Sequence, residues 1–88
     1  MNIKILGPGC GRCQQLEKTT REVVQELGID ARVEEIKDMS KIIAYNVMMT
    51  PGLIIDEQVV SSGKVPSKAE VTQLIINAMA KEEQKKSP

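Results

Sequence analysis

The sequence is nearly without aromatic residues: Tyr45 stands alone, with no Phe and no Trp in 88 residues. A chain so poor in rings offers no stacking platform for unpaired bases, which argues against binding single-stranded nucleic acid. Net charge is absent too. Twelve Lys and Arg balance twelve Asp and Glu, so no field steers the chain toward nucleic acid or an anionic membrane surface. Histidine does not occur and cysteine occurs twice, too few donors for a four-ligand zinc site within one chain. No apolar run approaches the roughly 20 residues that span a bilayer. The start, Met1-Asn2-Ile3-Lys4 leading into Gly7-Pro8-Gly9, contains no secretory apolar stretch. The expectation is a monomeric, cytoplasmic protein with a single core, the most that this length can hold.

What the chain does have is an aliphatic core arranged in regular elements. Ile3 and Ile5 alternate with Asn2 and Lys4, and Leu6 closes a short strand before Gly7-Pro8-Gly9 breaks it. Lys4 on that strand reads as a solvated edge residue. A long helix follows from Cys10 or just after it, with Leu16, Thr20, Val23, Val24 and Leu27 on one face. Glu17 and Arg21 support its outer face at i, i+4, and Gly28 stops it. Ile29 to Ile36 reads as a second strand, and a helical crossover favours a parallel pair. Asp38 can cap a shorter helix carrying Ile42, Ile43 and Val47.

Thr50-Pro51-Gly52 then interrupts the chain. Leu53-Ile54-Ile55 and Gln58-Val59-Val60 flank Asp56-Glu57 with hairpin spacing. Gly63 and Pro66 end that unit, and Ser67 with Glu70 forms a capping box for a last helix. Its stripe is Val71, Leu74, Ile75, Ala78 and Met79. Lys81 to Pro88 reads as a polar tail, leaving residues 1–80 as the domain. The order is β-α-β-α-β-β-α, an α/β chain with one mixed sheet.

Cys10 and Cys13 carry the chemistry in this pattern. Two residues apart, they close too small a loop for a bridge to stabilise much, so reactivity is the better reason for them. At the start of a helix, unpaired N–H groups and the positive end of the dipole stabilise a thiolate. Cys10, nearer the exposed turn, is expected to attack a substrate disulfide. Cys13, one turn on and more buried, is expected to resolve the mixed disulfide. Arg12 adds positive charge between them. The competing reading is a soft-metal carrier, of the copper(I) type, that binds through the same two thiolates. No phosphate-loop ending follows the glycines around Cys10, so nucleotide binding is dismissed. Met48 and Met49 read as loop or core packing, and Tyr45 as half-buried with its hydroxyl toward solvent.

Cys10-Gly11-Arg12-Cys13 on a strand–helix turn, Thr50-Pro51 before the third strand, and Gly63 after the fourth resemble the minimal thioredoxin fold. The likeness is to small, glutaredoxin-sized archaeal and bacterial redox-active disulfide proteins and covers roughly residues 1 to 79. It implies a four-stranded mixed sheet with helices on both faces. It implies thiol–disulfide exchange with disulfide-containing proteins, a separate reductase or thiol donor, and no cofactor. By the same resemblance the Thr50–Pro51 bond is cis and faces the dithiol, while Thr50, Pro51 and Gly63 contact substrate, with Arg12 beside them. Two positions depart from typical thioredoxins. Gly9 stands where they carry a Trp, and Lys4 where they carry a buried acid.

Overall fold

In the computed structural model the described residues are 1–9 and 11–86, with 82–86 described in backbone alone. They form β1 (Asn2–Leu6), α1 (Gly11–Leu27), β2 (Arg32–Ile36), α2 (Met39–Ala44), β3 (Gly52–Ile55), β4 (Gln58–Ser62) and α3 (Lys68–Lys86). The strands make one sheet in the order β2-β1-β3-β4. β1 runs parallel to β2, with Ile3 opposite Val33, and antiparallel to β3, with Ile3 opposite Ile55. This is the mixed α/β sheet that the element order requires. α1 supplies the crossover that a parallel pair needs.

Alternation along β1 and β3 divides the core in two. Ile3, Ile5, Leu53 and Ile55 face Leu16 and Val23 of α1 and Val71 and Ile75 of α3. Leu6 and Ile54 face the other way, toward Ile42 and Val47. All four residues of β3 are buried, as expected of a strand covered on both faces. Helices thus lie on both faces, with most of the apolar burial under α1 and α3. Burying one such side chain fully contributes about 1.5–3 kcal/mol, so the smaller α2 layer is the more weakly anchored.

Several local expectations need correction. β2 begins at Arg32 rather than Ile29, while Ile29 and Ala31 pack against the larger core as its lead-in. Asp38 caps α2, its carboxylate accepting from the Ser40 N–H at 2.9 Å. At six residues, though, α2 presents only Ile42 to the sheet. Ile43 is 65% exposed. Val47 is buried from beyond the helix end, after a turn in which Asn46 has φ 61°. Lys4 is not on an edge: β1 is an inner strand, and its side chain is only 16% exposed.

The hairpin turn uses Asp56 and Glu57, both at positive φ, as a type I′ turn demands. Between Leu53 and Ile54 the pairing with β4 shifts, so that Ser61 and Val59 are their partners and Val60 is a bulge. Ser67 starts α3, its hydroxyl accepting from the Glu70 N–H at 3.2 Å. Residues 81–86 of the expected polar tail continue the α3 backbone. Ser87 and Pro88 lie outside the described residues.

Candidate active site

The C-terminal end of β1 opens onto the start of α1. Beyond Leu6, the Gly7 N–H still donates to the Ile36 carbonyl at 2.9 Å, so the parallel ladder carries into the turn. Cys13, the third residue of α1, is fully buried just behind that turn. A Cβ on Gly7 would overlap Sγ of Cys13 and stand 3.1 Å from its Cβ. The same point is 3.9 Å from Cβ of Thr50. Gly7, Cys13 and Thr50 therefore meet in one place, and only the missing side chain at position 7 makes room for the sulfur. Cys10 lies outside the described residues.

The Thr50–Pro51 peptide bond is cis. Pro51 is buried and Thr50 half-buried. The Pro51 carbonyl accepts from the Gly63 N–H at 3.0 Å. The Gly63 carbonyl in turn accepts from Nη2 of Arg12 at 3.1 Å. Two hydrogen bonds thus join the first turn of α1, the end of β4 and the start of β3. Gly63 needs its freedom: φ is +78°, and an added Cβ would lie 3.0 Å from Cβ of Met49. Arg12, Cys13, Thr50, Pro51 and Gly63 are gathered at one end of the sheet. Met48 and Met49 are not core residues, being 94% and 68% exposed. Met49 instead lies along Gly63 as an apolar border to the site.

Two neighbours of this site went unread in the sequence. One is Gly7, which looked like a strand breaker and is a space reserved for sulfur. The other is Lys37, whose Cε and Nζ lie 3.6 and 3.7 Å from where a Cβ on Gly9 would stand. Lys37 pairs with Glu35 at 3.7 Å. Glu35 in turn shares a hydrogen bond with Glu17, which pairs with Arg21 at 3.0 Å. That bond to Glu17, and then burial, raise the Glu35 carboxyl above its ordinary value. Glu17 is lowered by the same bond, with Arg21 adding to the effect. No pattern along the chain marks this proximity, because Glu17 lies on α1 and Glu35 on β2.

On the α2 face, Nζ of Lys4 donates to the Tyr45 hydroxyl at 2.7 Å and pairs with Glu57 at 2.6 Å. Tyr45 donates to the other Glu57 oxygen at 2.7 Å, so its hydroxyl is engaged rather than turned to solvent. The three residues tie β1, the end of α2 and the hairpin turn together. Hydrogen bonding to Glu57 and then Tyr45 raises the Lys4 ammonium above its ordinary value. Hydrogen bonding to Lys4 and then Tyr45 lowers the Glu57 carboxyl. A side chain held this firmly as a cation is a poor proton acceptor.

Among the described residues no group of three or more His, Cys, Asp or Glu could hold a metal ion. None of their helices is long and apolar enough to cross a membrane. The sequence model of the family described as "Thioredoxin domain" matches residues 1–76. The protein named "Thioredoxin" of Methanothermobacter thermautotrophicus is 45% identical over 75 residues, 85% of this chain and 97% of that relative. The "Thioredoxin" of Methanocaldococcus jannaschii is 38% identical over 71 residues, 81% of each chain.

Proposed function

Because the chain belongs to the thioredoxin family, whose general role is thiol–disulfide oxidoreduction, we propose that it is a cytoplasmic protein-disulfide reductase working through Cys10 and Cys13. One observation carries the reading furthest. The Cys13 sulfur is buried in the first turn of α1, against Gly7 and beside Thr50. A resolving thiol belongs in such a place, close to the chain start of the helix and shielded from outside reagents.

In the proposed step the Cys10 thiolate attacks one sulfur of a substrate disulfide. A mixed disulfide forms, and the other substrate sulfur leaves as a thiolate. Cys13 then loses its proton and attacks the Cys10 sulfur. The substrate leaves with two thiols, and the protein holds the disulfide, oxidised by two electrons. A thiol or dithiol donor, small or protein-borne, reverses the change. Thr50, beside the Cys13 sulfur, and Pro51 supply backbone to an extended substrate segment, with Gly63 and Arg12 at its side. The α1 N-terminus and Arg12 favour the thiolate of Cys10.

The test is a titration of the couple against thiol buffers, read by the mass added on alkylation. A reversible two-electron transition between about −300 and −180 mV is expected. The Cys13→Ser protein should accumulate mixed disulfides, and alkylation of Cys10 in the native protein should outpace that of Cys13. No reversible disulfide, or equal alkylation rates, would overturn the assignment.

A further inference from the structure

Two cations flank the turn that carries the dithiol. On one side, Arg12 is anchored by a single hydrogen bond from Nη2 to the Gly63 carbonyl at 3.1 Å. A guanidinium has five N–H donors in a fixed plane, so this bond orients the group and leaves the others to solvent. Among the described residues Arg12 has no carboxylate partner. On the other side, the end of Lys37 lies against Gly9, the residue before Cys10. Lys37 is loosely held there: its Nζ stands 3.7 Å from Glu35, and Glu17, which also feels its charge, pairs with Arg21 at 3.0 Å. Asp38, next in sequence, is turned to the Ser40 N–H and hydroxyl at 2.9 and 2.7 Å. The chain as a whole is neutral, yet Arg12 and Lys37 set a cation on each flank of this turn.

We propose that Arg12 and Lys37 determine substrate class, selecting disulfides whose sulfur pair is flanked by carboxylates. The proposal rests on the oxidoreductase reading and deepens it. Arg12 suits the task because its free donors form a planar fork that matches a carboxylate. Lys37 is a flexible point charge on the opposite flank. A substrate bearing an acid on each side of its disulfide meets one cation on each side of the turn. A substrate bearing amines meets repulsion at both.

Three small disulfides of nearly equal size isolate charge from shape: 3,3′-dithiodipropionate (dianion), bis(2-hydroxyethyl) disulfide (neutral) and cystamine (dication). Each is reduced by a stoichiometric excess of the reduced protein at low ionic strength, and each rate is divided by the rate with dithiothreitol. The expected order is dianion, neutral, dication, with about a fivefold gain per cation for the dianion over the neutral compound. Arg12→Gln and Lys37→Gln should each lower that ratio, and the double variant should bring it near one. Raising the salt to 0.5 M should compress the ratio in the native protein, because exposed charges are screened. Arg12→Lys should retain most of it. Using the ratio cancels any general effect of these cations on thiolate reactivity, since that acts on all three compounds alike. An unchanged ratio in both Gln variants, or a preference for the dication, overturns the proposal. Reduction of the neutral compound without charge preference defeats this inference alone. No reduction of any of the three defeats the oxidoreductase reading along with it.

Discussion

Gly7 and Cys13 compete for one space: the sulfur occupies the volume that a side chain at position 7 requires. The site is thus specified by an absence on β1's end as much as by the thiol on α1. Gly7→Ala should destabilise the reduced protein by about 1–3 kcal/mol through overpacking. Gly11→Ala is the control, since a Cβ there meets nothing within 4 Å. Within a helix it should stabilise by about 0.4–1 kcal/mol. Urea unfolding of both variants, read by far-ultraviolet circular dichroism, checks the contrast.

Gly63 and Gly28 both have positive φ, at 78° and 63°. An Ala in that conformation costs about 1–2 kcal/mol at either position. Only at Gly63 does the new Cβ press on Met49, and only there does the backbone receive Arg12 and donate to Pro51. Gly63→Ala should slow reduction of a protein disulfide by roughly tenfold or more, while Gly28→Ala keeps the rate. Equal slowing in the two would mean that Gly63 is a strand terminator and nothing else.

Glu57 sets part of the acid limit of stability. Its carboxyl is held below the ordinary 4.5 by hydrogen bonds from Lys4 and then Tyr45. Folding therefore favours the carboxylate, and the contribution is present above pH 4.5 and lost as the pH falls through the lower, folded value. Glu57→Gln should flatten that part of the acid limb. Tyr45→Phe, which removes one of the two donors, should shift it toward higher pH. Melting temperatures between pH 2.5 and 6 give the answer.

Glu35 carries the opposite sign. Its hydrogen bond with Glu17, and then burial, raise it above 4.5, so folding favours the protonated acid. That contribution is complete below pH 4.5 and lost as the pH climbs through the raised value. Glu35→Gln, which keeps a donor toward Glu17 at every pH, should remove this dependence and raise the melting temperature at pH 7. A variant less stable at pH 7 with its pH dependence intact would show that no proton is shared.

The element order, the parallel β1–β2 pair and the hairpin were legible in the sequence from local signals, whereas the grouping of Thr50, Pro51 and Gly63 with Arg12 and Cys13 was expected only from the family resemblance. Periodicity marks faces, and glycine and proline mark turns. The errors arose where tertiary geometry decides. Lys4 could not be seen on an inner strand until strand order was known. Ile43 obeyed the helical period but belongs to a helix too short to bury it, while Val47 reaches the core from a turn. The roles of Gly7 and Lys37 depend on what lies across a gap of many residues. No pattern along the chain encodes such a meeting.

The sheet order has a consequence for how the chain comes into being. Synthesis delivers β1 and α1 first, yet the walls around Cys13 include Thr50, and Pro51 and Gly63 complete the site. β1 cannot acquire its second neighbour until β3 has emerged. A nascent chain that ends before residue 50 therefore holds its thiol at position 13 without the shelter of the finished protein. Only the second half of the chain brings that shelter, so a ribosome-bound fragment and the released protein should differ sharply in how fast a thiol reagent labels Cys13.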